Sequence, residues 1–168
     1  MLLEVGFWCS MEALSGAEGL PNDRPDPRLQ VDDAWFADCA PDLLAKLERS
    51  LTRGAFLESH ELAYSFCRFP DCTLALEQPQ VMGACTMTDG VYCWPEGYWH
   101  YVLHHHVKPP SEFLAHVLAN HDEMIERTKL AAAEGNLLLW DEMEQRAVTM
   151  PRAMQEWITS YTTIRLEC

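Results

Sequence analysis

The pattern that most restricts this chain runs from Cys67 to His105. Four residues separate Cys67 from Cys72, 27 separate Cys72 from His100, and four separate His100 from His105. Thiol and imidazole pairs at such intervals let two short elements grip one zinc ion. The thiolates then close one edge of a tetrahedron and the imidazoles the opposite edge. A fold meeting this demand must bring a turn at 67–72 against a helix at 100–105. The same residues also have a metal-free reading, in which the cysteines are small buried apolar side chains and the histidines a solvated helix end.

Helix geometry constrains the imidazoles. His100 and His104, four apart, share a face, whereas His100 and His105, five apart, do so only where the last turn loosens or tightens. Lys108-Pro109-Pro110 stops the helix just beyond. On spacing alone, His104 therefore stands beside His105 as a candidate.

Between the two pairs, Asp89-Gly90 divides the apolar runs Val81 to Thr88 and Val91 to Trp94, a strong β-hairpin signal. Pro95 suits the first turn of the following helix, and Glu96 then sits where the helix dipole favours a carboxylate. Such a carboxylate is ordinarily structural. In an enzyme, Glu96 would be the catalytic acid.

Elsewhere the periodicity predicts strands over Leu2 to Trp8 and Ala55 to Phe66, with Phe56, Leu62, Tyr64 and Phe66 on one face. Leu43, Leu44, Leu47 and Leu51 mark a helix that starts at Pro41 and stops at Gly54. Ser111 caps a helix running through Phe113, Leu114, Val117 and Leu118 to Ala133. Asp141 would cap a helix over Glu142 to Val148, followed by a helix over Pro151 to Tyr161 and a strand over Thr162 to Glu167. Residues 15–31 read as a long loop and Thr73 to Gln80 as a connector. His116, His121, Asp122 and Glu123 could form a second metal cluster but read more simply as a polar helix face. The predicted fold class is α+β, a small antiparallel sheet with a β-hairpin packed against several helices. One domain spans 1–168, with the zinc-site segment at 67–107.

The net charge of −14 and pI near 4.7 repel phosphate backbones, and the 12 Lys and Arg residues form no basic stripe. Nucleic-acid binding is thereby disfavoured, and a basic protein partner suits the charge. The first residues lack the basic region of a signal peptide, and no apolar run approaches the roughly 20 residues that span a bilayer. Seven cysteines, an odd number in no framework pattern, fit a reducing cytoplasm. Cys9, Cys39, Cys85, Cys93 and Cys168 read as packing or surface residues.

Thr88-Asp89-Gly90-Val91-Tyr92-Cys93-Trp94-Pro95-Glu96-Gly97, with His100-Tyr101-Val102, His105, Val107, Pro110 and Glu112-Phe113, resembles a family of small bacterial proteins of unknown function. The resemblance covers roughly Leu57 to Leu118, with a weaker echo over Pro25 to Val31. It implies that His100 and His105 are the imidazole pair, and it implies no chemistry. The chain departs from the pattern in a wider cysteine spacing and in Tyr98-Trp99, where the family has smaller residues. The wider spacing makes Cys85 an alternative to Cys72.

Three functions follow from these residues. A closed zinc site of Cys67, Cys72, His100 and His105 implies a structural metal in an acidic cytoplasmic interaction protein of immunity or adaptor type. An open site with three protein ligands implies a zinc-dependent hydrolase, although no His-Glu-x-x-His or deaminase signature is present. Thiol redox chemistry at Cys67 and Cys72, with Arg68 nearby, has a spacing wider than the usual two residues.

Overall fold

A computed structural model describes residues 2–9, 24–61, 63–133, 138–141 and 146–149, from 131 onward by their backbone. The chain is α+β. Among the described residues a six-stranded sheet is built from β1 (Leu3–Glu4), β2 (Phe56–His60), β3 (Cys85–Thr88), β4 (Tyr92–Pro95), β5 (Leu138–Asp141) and β6 (Arg146–Thr149). Its spatial order is β1-β4-β3-β2-β5-β6. Five helices accompany it: α1 (Asp33–Asp38), α2 (Pro41–Arg53), α3 (Thr73–Glu77), α4 (Tyr98–His105) and α5 (Ser111–Ala133). Short 3-10 turns cover Pro27–Gln30 and Pro79–Met82.

The centre of the sheet is antiparallel, β2 on β3 and β3 on β4. Around it the sheet is mixed, because β1 joins β4 and β2 joins β5 in parallel. The Asp89-Gly90 hairpin forms where the sequence places it. Asp89 Oδ1 accepts the amides of Val91 and Tyr92 at 2.8 Å each, Thr88 Oγ1 accepts from Gly90 at 3.0 Å, and Gly90 takes φ 94°. This side-chain brace supports a turn that the Asp89 amide also closes by donating to the Tyr92 carbonyl at 3.3 Å, and that a bulkier residue at 90 would strain.

Several boundaries differ from the periodic reading. The Leu2 to Trp8 strand is confined to Leu3–Glu4, because Gly6 turns the chain at φ 74° and a side chain there would strike the Tyr98 ring. The second strand ends at His60, after a register shift between Leu57 and Ser59, so Tyr64 and Phe66 lie outside it. Thr73 to Gln80 carries a short helix. Pro95 does not open a helix but closes β4 opposite Thr86, and the helix begins at Tyr98. Of the segment expected as a helix over Glu142 to Val148, the described residues Arg146 to Val148 belong to β6, which pairs antiparallel with β5. The proposed elements over Pro151 to Tyr161 and Thr162 to Glu167, and most of the loop 15–31, lie outside the described residues.

The core lies between the sheet and helices α2, α4 and α5. Trp94, Tyr98, Tyr101, Phe113, Leu47, Val102, Val107 and Val117 are all fully buried there. The Leu47 and Leu51 stripe of α2 faces this core, as its 3, 4 and 7 residue steps require. Trp94 reaches across to donate its indole N–H to the Leu51 carbonyl at 3.2 Å. Thus α4, the carrier of the histidines, is anchored by Tyr98, Tyr101 and Val102 on the face turned to the core. None of the described helices is long and apolar enough to cross a membrane.

Candidate metal centre

The cysteine turn is shaped locally. Phe69-Pro70-Asp71-Cys72 makes a β-turn in which the Cys72 amide donates to the Phe69 carbonyl at 3.1 Å, with proline at the position its fixed φ favours. Cys72 then precedes α3, and its carbonyl accepts from Leu76. The two thiols thus sit on either side of a rigid bend.

Tyr101 of α4 holds this bend in place. Its hydroxyl oxygen accepts the Arg68 amide at 2.9 Å and its O–H donates to the Phe66 carbonyl at 3.3 Å. The Phe69 ring stacks on His105, 3.9 Å between centroids and 3° from parallel. A hydrogen-bonded phenol and a ring stack therefore dock the thiol bend onto the histidine helix.

Five residues at 3.6 per turn overshoot a full turn, so His105 needs a departure from regular helix to join His100. The structure supplies one. The Tyr101 carbonyl accepts from the amides of His106 and Val107, five and six residues on, and His106 adopts the left-handed conformation at φ 52°, ψ 31°. With the last turn widened just past His105, the His100 and His105 rings lie 5.0 Å apart between centroids.

One ligand atom from each of Cys67, Cys72, His100 and His105 lies within 4.8 Å of the others. Cys67 Sγ is 3.3 Å from His105 Nε2, and Cys72 Sγ is 3.5 Å from His100 Nε2. With zinc–sulfur bonds near 2.3 Å and zinc–nitrogen bonds near 2.05 Å, a tetrahedral sulfur–nitrogen edge is about 3.6 Å. The two sulfur–nitrogen edges, 3.3 and 3.5 Å, lie close to that value. These four residues could hold a metal ion.

Electrostatics set the protonation of the group. Burial, with Cys72 adding repulsion, pushes the Cys67 thiol up to about 12. Burial and the neighbouring His105 and His104 bring His100 down to about 4, and burial with His104 and His106 does the same for His105. Both imidazoles are therefore neutral at pH 7, the form in which they donate to a metal. Cys72 and His100 are buried, and Cys67 and His105 are partly so. His100 Nδ1 is buried without a hydrogen-bond partner among the described residues, so ring packing rather than a second hydrogen bond orients it.

The other candidates are placed elsewhere. His104 is exposed and outside the set, although its ring is 5.2 Å from that of His100. Cys85 lies on β3, also outside the set. Glu96 Oε2 accepts the Ala84 amide at 3.0 Å and supports the turn at Gly83. The proposed second cluster is dispersed into two ties. His116 Nε2 contacts Asp89 Oδ2 at 2.6 Å, and His121 Nδ1 contacts Ser50 Oγ at 2.8 Å. Sequence reasoning missed the docking role of Tyr101 and Phe69, whose aromatic character alone signals only packing. Comparison of the chain with family models, curated proteins and solved structures returns no match.

Proposed function

We propose that Cys67, Cys72, His100 and His105 hold one zinc ion as a structural centre, and that the chain acts as an acidic interaction protein rather than as an enzyme. The observation that carries the metal reading is the pair of sulfur–nitrogen edges, 3.3 and 3.5 Å, inside a four-residue donor set. Two thiolates and two imidazoles in a tetrahedron favour zinc over hard cations, which prefer oxygen. Four protein ligands leave no position for water, the feature that separates structural from catalytic zinc. Glu96, the acid a hydrolase would need, is engaged with the Ala84 amide instead.

The interaction role rests on charge. A net charge of −14 draws a basic protein and repels nucleic acid, as an immunity or adaptor protein would require. The zinc would fix the 67–72 bend to α4 so that the surface around it is presented in one shape.

Elemental analysis of the chain purified without added metal tests the centre. One equivalent of zinc is expected, lost in Cys67→Ser and His100→Ala and kept in His104→Ala and Cys85→Ser. Unchanged zinc in the first two variants would remove the assignment. Partners captured at about 50 mM salt and released at about 500 mM should be basic, since screening weakens charge-driven contacts. Capture of neutral partners indifferent to salt would remove charge as the basis.

A further inference from the structure

A concave cavity of about 260 Å³ lies on the side of α4 and β3 that includes Trp8, Arg68, Ala84, Thr86 and Tyr101. None of the four candidate metal ligands lines it, although Arg68 and Tyr101 adjoin Cys67 and His100 in the chain. Its walls are mainly apolar, with Phe7 and Met82 also contributing. The volume falls just below the usual 300–1,000 Å³ of ligand sites and fits a small molecule.

The informative group is Arg68. Its Nε donates to the Cys9 carbonyl at 2.9 Å, and Nη1 donates to the Phe66 carbonyl. Those two bonds fix the plane of the guanidinium. Nη2 has no hydrogen-bond partner, and no carboxylate pairs with Arg68, among the described residues. Arg24, the other cation lining the cavity, is paired with Glu4 at 3.4 Å. Glu61, which also lines it, is solvent-exposed. A partly buried cation that no carboxylate of the described residues pairs, held in place beside an apolar hollow, is suited to receive an anion. Trp8 adds to this wall: it is 7 % exposed, and its indole N–H has no acceptor among the described residues.

We propose that this cavity binds a small monocarboxylate with an apolar body, its carboxylate on the Arg68 guanidinium and its body against Trp8 and Tyr101. A single charge is favoured over a phosphate dianion for two reasons. One guanidinium edge can neutralise only one charge, and the field of a chain at −14 repels a dianion more strongly.

The test uses the full chain as purified, titrated calorimetrically with benzoate, with benzamide as the neutral isostere and with inorganic phosphate. Benzoate should bind at least about tenfold more tightly than benzamide, as a hydrogen bond to a charged group predicts, and phosphate should bind more weakly than benzoate. Arg68→Gln should remove the preference for benzoate over benzamide. Ala84→Leu, which adds bulk to the cavity wall and keeps Arg68 itself, should abolish binding of both aromatic probes in a folded protein. Equal affinity for benzoate and benzamide in the unaltered chain overturns the proposal. So does benzoate affinity unchanged in Ala84→Leu, which decides the matter if Arg68→Gln does not fold.

Discussion

Ser50 of α2 and His121 of α5 share a buried hydrogen bond, 2.8 Å between Ser50 Oγ and His121 Nδ1, across 71 residues of sequence. Ser50 is fully buried and His121 is 7 % exposed, so neither group has water to fall back on. The contact joins two of the helices that enclose the core. Ser50→Ala should leave the imidazole nitrogen unsatisfied and lower unfolding free energy by about 1–3 kcal/mol. Urea denaturation of Ser50→Ala beside the double variant with His121→Leu checks this. The double variant should recover part of the loss, because removing both partners leaves nothing unpaired.

Metal capture should release protons. Cys67, raised to about 12, carries its proton at pH 7, whereas His100 and His105, lowered to about 4, carry none to give up. Coordination requires the thiolate, so zinc binding at pH 7 should expel at least one proton per ion from Cys67 and none from the imidazoles. Calorimetric titration of the chelator-treated chain in buffers of different ionisation enthalpy measures this number. Proton uptake would mean that the imidazoles or thiols are not in the states described.

Gly97 permits a close backbone approach at the start of α4. A Cβ there would lie 2.5 Å from the Met82 carbonyl oxygen and 2.9 Å from its Cα. Gly97→Ala should force α4 away from the Pro79–Met82 turn and cost about 1–3 kcal/mol, the range for overpacking. Thermal unfolding followed by circular dichroism reads the loss. A midpoint unmoved by the substitution would show that the two backbones separate freely.

Asp32 links acid stability to the α1 start. Its carboxylate accepts the Trp35 amide at 2.8 Å and pairs with Lys108 at 3.1 Å; these interactions, the amide bond first, hold it below the usual carboxylate range. A folded-state value lower than the unfolded one stabilises the fold above about pH 3.9, and that contribution disappears as pH falls through the lower folded value. Asp32→Asn should therefore flatten the acid end of the stability profile, with the largest difference from the unaltered chain at neutral pH. Acid titration of both proteins by fluorescence decides it. Parallel profiles would show that the group contributes nothing pH-dependent.

Local chemistry made some of this readable from sequence. Pro41 and Gly54 bound α2 because one pre-sets a helical φ and the other ends the run, and neither needs a distant partner. Asp89-Gly90 specified its hairpin for the same reason. Pro95 misled because its role is set by Thr86 across the sheet and by the Glu96 amide donating to the Cys85 carbonyl. Those contacts carry β4 up to the proline. The parallel partners of β1 and β2 come from remote sequence, where periodicity has no voice. At the candidate centre the residue types and intervals pointed to Cys67, Cys72 and His100 and left His104 beside His105, the resemblance favouring His105. The choice of His105 over His104 depended on a widened turn that spacing alone cannot dictate.

The span between Cys67 and His105, 38 positions along the chain, sets an order of events during synthesis. At the roughly 5–20 residues per second of a working ribosome, the sulfur atoms emerge some two to eight seconds before the last nitrogen. Throughout that interval the nascent segment offers bare thiols without the full imidazole pair that completes the set. Reductant supply while the polypeptide is being made, rather than afterwards, would then govern how much of it reaches the finished form.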